Sequence, residues 1–193
     1  MDKDEVKDSI IGVARQIFCK FGFRKTTMDE IAQAVRKGKS SIYYYFSSKE
    51  DIFQAVVEKE AALLNSALMK AISEADDPRE KLKSYVLVRM RTISELANFY
   101  NAIKSEYLSH LEFIDQIRMK YDKNEIQVVE DILRKGVENN EFCIEDTSLA
   151  AIAIVTALKG MEIPMFWEKD AEEGIEQRLD SLINFLFYGI IKR

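Results

Sequence analysis

The run Lys39-Ser40-Ser41-Ile42-Tyr43-Tyr44-Tyr45-Phe46 gathers a cation, two aliphatic hydroxyls and three phenols into eight consecutive residues. A short helix cannot bury so many polar ends, so several must face solvent or a partner. The chemistry this favours is recognition of a polyanion. Lys39 can neutralise a phosphate, Ser40 and Ser41 can reach base edges or phosphate oxygens, and the hydroxyls of Tyr43, Tyr44 and Tyr45 can hold the flanking backbone. Lys49 opens the next helical pattern, where its ammonium and the free amides can grip the same strand. Upstream, Thr26 and Thr27 are helix caps in the first place and candidate contacts in the second, and Met28 is read as either core or contact.

Reaction centres find no such support. The chain has no Gly-rich phosphate loop, no G-x-S-x-G elbow and no Cys/His pair at useful spacing, so no enzyme and no cofactor are expected. Cys19, Cys143 and the lone His110 make neither a disulfide framework nor a zinc set, and no metal is expected. Both cysteines are read as core residues. The net charge of −5 hides a reversal. From Lys20 to Lys49 seven basic residues face only Asp29 and Glu30, a balance of +5 that leaves −10 for the rest. A basic head on an acidic body concentrates phosphate contact at one end.

The elements that must position these groups are helices. With two prolines and seven glycines in 193 residues, and an apolar fraction of 47%, an all-α fold of about nine helices is expected. Val6, Ile10, Ala14, Ile17, Phe18 and Phe21 form the apolar stripe of a first helix that Gly22 ends. Thr27-Met28-Asp29-Glu30 is a capping box for a short second helix with Ile31, Ala32 and Val35 buried. Arg36-Lys37-Gly38 breaks the pattern, and a third helix from about Lys39 to Tyr45 turns Ile42 and Phe46 inward. Ser47-Ser48-Lys49-Glu50 is a second capping box, opening a long helix through Ile52, Phe53, Val56, Val57, Leu63, Leu64 and Leu68 toward Ile72. Further starts are read at Asp77-Pro78-Arg79-Glu80 and more weakly at Ser109, Asp122, Asp146 and Asp170. Three short helices, the last two joined by a tight glycine-containing turn, follow the helix-turn-helix plan.

At this point the chain resembles a known family. Phe18-Cys19-Lys20-Phe21-Gly22-Phe23, Thr26-Thr27-Met28-Asp29-Glu30-Ile31-Ala32, Ser41-Ile42-Tyr43-Tyr44-Tyr45-Phe46 and Ser48-Lys49-Glu50-Asp51-Ile52-Phe53 look like the TetR-family signature, over about residues 10–57. The family commonly places Gly-Val-Ser-Lys-Gly in the turn, whereas this chain has Arg36-Lys37-Gly38-Lys39-Ser40. The resemblance implies a DNA-binding domain over residues 1–48 and a larger helical ligand-binding and dimerisation domain over 49–193. It implies DNA-backbone contacts from Thr27, Tyr43, Tyr44 and Lys49, and base or mixed contacts from Met28, Lys39, Ser40, Ser41 and Tyr45. The implied function is a regulator, repression being the family's commoner mode, that binds a pseudo-palindromic operator as a homodimer and is released by a small molecule. The alternative is a helical ligand-binding or protein-interaction module whose altered turn no longer reads operator DNA.

In the body, Ala150 to Leu158 is apolar almost all round and expected to be buried, and a last helix carries a broad apolar stripe. From these two segments the expected dimer interface is Ile152, Val155, Leu179, Leu182, Ile183, Leu186, Phe187 and Ile190. Phe99, Tyr100, Tyr107, Phe113, Tyr121 and Phe166 are candidate lining for an apolar or amphipathic ligand, with ordinary core packing as the competing reading. No segment reaches the ~20 apolar residues of a membrane span, and no leader is recognised at the start, so a cytoplasmic protein without a membrane partner is expected.

Overall fold

The computed structural model describes residues 3–96 and 112–167, together with positions 177, 181, 183–185, 187 and 188. The fold is all-α. Seven continuous helices are described: α1 (Lys3–Phe21), α2 (Met28–Ala34), α3 (Lys39–Tyr45), α4 (Lys49–Glu74), α5 (Pro78–Glu95), α6 (Glu112–Glu138) and α7 (Thr147–Trp167). The described positions between 177 and 188 are helical as well. No helix among the described residues is long and apolar enough to cross a membrane. The expected starts at Ser109 and Asp170 lie outside the described residues. The start expected at Asp122 is corrected: that residue sits in the interior of α6, where its carboxylate is paired with Lys159 of α7.

The chain divides into two compact units, Met1–Leu63 with Leu96–Ile117 and Leu64–Glu95 with Arg118–Arg193. In the first unit, Ile10, Ala14 and Phe18 of α1, Ile31 of α2, Ile42 of α3 and Ile52, Phe53, Val56 and Val57 of α4 are buried. The core is centred on aromatic rings: Phe18 meets Phe53 edge-on at 5.2 Å between centroids, and Phe23 lies 4.7 Å from Phe53. Arg15 of α1 bonds Glu60 of α4 at 2.7 Å, which gives that fully buried carboxylate a counter-charge. Phe21 and Leu63, assigned inward by periodicity, are exposed. Phe21 stands in the last turn of α1, where the stripe has run past the helices it packs on.

In the second unit, Leu64 and Leu68 of α4, Leu82, Tyr85, Val86 and Met90 of α5, Val129, Ile132 and Leu133 of α6, and Ala151, Ile154, Val155 and Leu158 of α7 are buried. Helix starts follow local capping. Asp77 accepts from the Glu80 amide at 2.8 Å ahead of Pro78, and Asp146 accepts from the Leu149 amide at 2.9 Å. The second box is corrected by one residue: Ser48 caps the Asp51 amide, and the Asp51 carboxylate, not Glu50, returns to the Ser47 and Ser48 amides. The two cysteines are also corrected, since Cys19 and Cys143 are both exposed and reduced.

Candidate nucleic-acid interface

The candidate surface is built on two seven-residue helices that could not persist alone. α2 begins with a complete capping box. The Glu30 amide donates to Thr27 Oγ1 at 3.3 Å, and Glu30 Oε2 accepts from the Thr27 amide at 2.7 Å. α3 follows after Arg36, whose φ of 56° lies in the left-handed region, at the position where the family pattern has glycine. The chain makes the same reversal with a cationic residue. Gly38 stands at the N-cap of α3 and supplies no side-chain bond. Lys37, at the family's valine position, is half-buried.

Ile42 and Phe46 anchor α3 in the core, and their spacing fixes which side chains point away. Lys39, Ser40, Tyr43 and Tyr44 are exposed, Ser41 and Tyr45 half-buried. Tyr44, 68% exposed, meets Tyr45 edge-on at 5.0 Å. Lys39 Nζ holds Asp29 at 2.9 Å across the turn. The hydrogen bond and charge of that carboxylate raise the lysine above its ordinary pKa, so it remains a cation. An exposed pair of this kind is weak enough to be exchanged for a phosphate. Thr27 is exposed and Met28 half-buried beside this surface.

Two predicted residues turn inward. Thr26 is 1% exposed and its hydroxyl donates to Gly22 O at 2.9 Å. This corrects its candidacy as a contact: it closes the turn that Gly22, at φ 80°, opens. Lys49 Nζ donates to Phe23 O and Thr26 O, each at 2.9 Å, and lies 4.3 Å from the Phe23 ring centroid. Its ammonium ties the start of α4 to the turn between α1 and α2, with one N–H left over for a phosphate. In the other direction, the fold brings residues that the local charge count omitted. Lys3 Nζ stands 5.0 Å from the Tyr44 ring centroid and Lys7 Nζ 5.6 Å from that of Phe46. Their four-residue spacing places both on one face of α1, and that was the legible signal.

Residues 10–56 match the family described as bacterial regulatory proteins, tetR family. Over 162 residues the chain is 27% identical to the HTH-type transcriptional regulator QacR of Staphylococcus aureus, covering 81% of this chain and 84% of QacR. Residues 10–56 are a TetR-family domain. QacR is a transcriptional regulator, and TetR-family regulators are DNA-binding rather than catalytic. A solved transcriptional regulator from Cytophaga hutchinsonii superposes with a TM-score of 0.82 at 26% identity, covering 96% of this chain and 98% of that one. AibR in complex with isovaleryl coenzyme A and operator DNA shares the fold, with a TM-score of 0.71 at 18% identity over 94% and 98% of the two chains.

The helical body places its candidates unevenly. Of the ligand set, Phe99, Tyr100 and Tyr107 lie outside the described residues, as do the side chains of Phe113 on α6 and Phe166 on α7, while Tyr121 is half-buried on α6. Of the interface set, Leu179, Leu182, Leu186 and Ile190 lie outside the described residues. Ile152 is exposed, whereas Val155, Ile183 and Phe187 are already buried within one protomer. The segment from Ala150 to Leu158, expected to be buried all round, is corrected to half-buried. Leu149, Ile152, Ala153, Thr156, Ala157 and Gly160 form an outward stripe, and Phe185 and Tyr188 point outward from the last helical residues. Uniform apolarity hid this division, because a helix apolar on every side has no period to read.

Proposed function

We propose that this chain is a repressor that binds a pseudo-palindromic operator as a homodimer and releases it when a small molecule enters the helical body. The observation that carries the reading is the outward presentation of Lys39, Ser40, Tyr43 and Tyr44 on a helix anchored by Ile42 and Phe46. A dimer would set two such helices into successive major grooves, ~34 Å apart. In this reading residues 1–48 are the DNA-binding domain and 49–193 the ligand-binding and dimerisation domain. Thr27, Tyr43, Tyr44 and the spare donor of Lys49 hold the backbone, and Met28, Lys39, Ser40, Ser41 and Tyr45 contribute base or mixed contacts. Lys3 and Lys7 extend the cationic rim.

Pairing is favoured by the outward apolar stripe of α7 with Phe185 and Tyr188, a surface that a second copy can cover by two-fold symmetry. Ligand control is favoured by the fold shared with AibR, which has been seen with both an acyl-coenzyme A and operator DNA. α4 supplies residues to both units and is the natural relay for a coupling of ~1–3 kcal/mol between sites. Fluorescence anisotropy with fragments of the DNA flanking the gene tests the reading. Sequence-selective, salt-sensitive binding is expected, lost in the Lys39→Ala/Tyr44→Ala double variant while fold and dimer persist. Equal binding by the variant, or no selective binding at all, refutes it.

A further inference from the structure

The second unit contains a polar centre that neither packing nor the DNA-binding surface accounts for. Tyr85 and Arg89 stand one turn apart on α5, and Glu125 faces them from α6. Arg89 donates to Glu125 through Nε at 2.8 Å and through a terminal nitrogen at 3.2 Å, a two-pronged pair almost wholly withdrawn from water. Its other terminal nitrogen is turned to Met90 Sδ at 3.6 Å. Tyr85 is completely buried beside the pair, and its hydroxyl is the one buried side-chain polar atom among the described residues without a hydrogen-bond partner. Native interiors seldom leave a hydroxyl so, because phenylalanine would fill the same space without the desolvation cost.

The chemistry of a missing partner can be read from what surrounds it. Burial pushes the Tyr85 phenol above its ordinary range, with the charge of Glu125 adding to the effect, so the group is a neutral O–H donor. Arg89 and Glu125 already hold each other through two bonds. Among the described residues of this centre, a ligand carrying a net charge would have to break that pair to find a counter-charge, leaving its former partner buried at the full cost of an unpaired ion. An uncharged acceptor asks for neither. Leu82, Val86 and Met90 on α5 and Val129 and Leu133 on α6 are buried apolar residues of the same two helices.

We propose that Tyr85 is the recognition point for the regulator's small molecule, and that this molecule presents an uncharged hydrogen-bond acceptor, such as a ketone, ester or amide carbonyl, on an otherwise apolar body. The inference rests on the ligand-controlled reading above and names the ligand class of that function. Arg89 and Glu125 act as positioning residues: each holds the other's charge beside the Tyr85 hydroxyl.

Four probes of one size separate the possibilities: acetophenone as the neutral acceptor, cumene as its isostere lacking the oxygen, benzoate and benzylammonium. Calorimetry at millimolar probe with the full-length protein is expected to rank acetophenone about tenfold above cumene, with the two ions weakest. In Tyr85→Phe the acetophenone affinity falls to that of cumene, cumene is bound as before, and the melting temperature of the free protein does not drop, since no hydrogen bond has been removed. An unchanged acetophenone preference in the variant, stronger binding of either ion by the wild type, or binding of none of the four overturns the inference. Failure of the wider reading looks different: acetophenone is preferred in a Tyr85-dependent way, supporting the site, while operator affinity measured in parallel does not change.

Discussion

Lys39 arrives at the outward face of α3 already held by Asp29, whose carboxylate therefore competes with a DNA phosphate for the ammonium. A phosphate approaching Lys39 must displace that carboxylate, whose own charge opposes the approach. Asp29→Asn is expected to tighten operator binding by about threefold to tenfold and to steepen the dependence of log K on log salt by up to ~0.9, the value of one added phosphate contact. Anisotropy titrations at several salt concentrations check this, and weaker binding by the variant would show that Asp29 instead holds Lys39 in its productive position. Residue type and residue role part company nearby. Thr26 and Lys49 have the right chemistry for phosphate, but the chain reversal after Phe21 leaves carbonyls at Gly22, Phe23 and Thr26 in need of donors, and these two side chains supply them.

Among the elements, those set by local signals were legible from the sequence alone. The Thr27/Glu30 box, the Asp77-Pro78 start and the seven residues of α3 are decided by bonds that span three or four positions. The end of α6 depends on a longer-range contact. Past Glu138 the chain turns through Asn140 at φ 61°, and the amides of Glu141 and Phe142 both return to Gly136 O. This folds the Phe142 ring flat against Gly136, where a β-carbon would overlap the ring atoms. Gly136→Ala is accordingly expected to destabilise the protein by about 1–3 kcal/mol despite the better helix propensity of alanine. Thermal or urea unfolding reads this directly. A variant as stable as the wild type would mean that the Phe142 ring can swing aside.

For the proposed dimer the surface to test is the outward stripe of α7, from Leu149 through Ile152, Ala153, Thr156 and Ala157 to Gly160. Ala157→Glu is expected to give a folded monomer by sedimentation velocity, with unchanged helicity and operator affinity reduced at least a hundredfold, because the two half-sites are then bound independently. A variant that remains dimeric places the interface elsewhere. What the amino-acid order determined by itself was the class of fold, the helix-turn-helix and its polar third helix, since these follow from three- and four-residue periodicity and from caps that act within one turn. Tertiary structure alone decided which sides of an evenly apolar α7 face out, which cations of the signature point inward, that Lys3 and Lys7 stand beside α3, and that Tyr85 is buried without a partner next to Arg89 and Glu125. Each of these is settled by contacts between side chains far apart in the chain, and no local pattern encodes the distance between them.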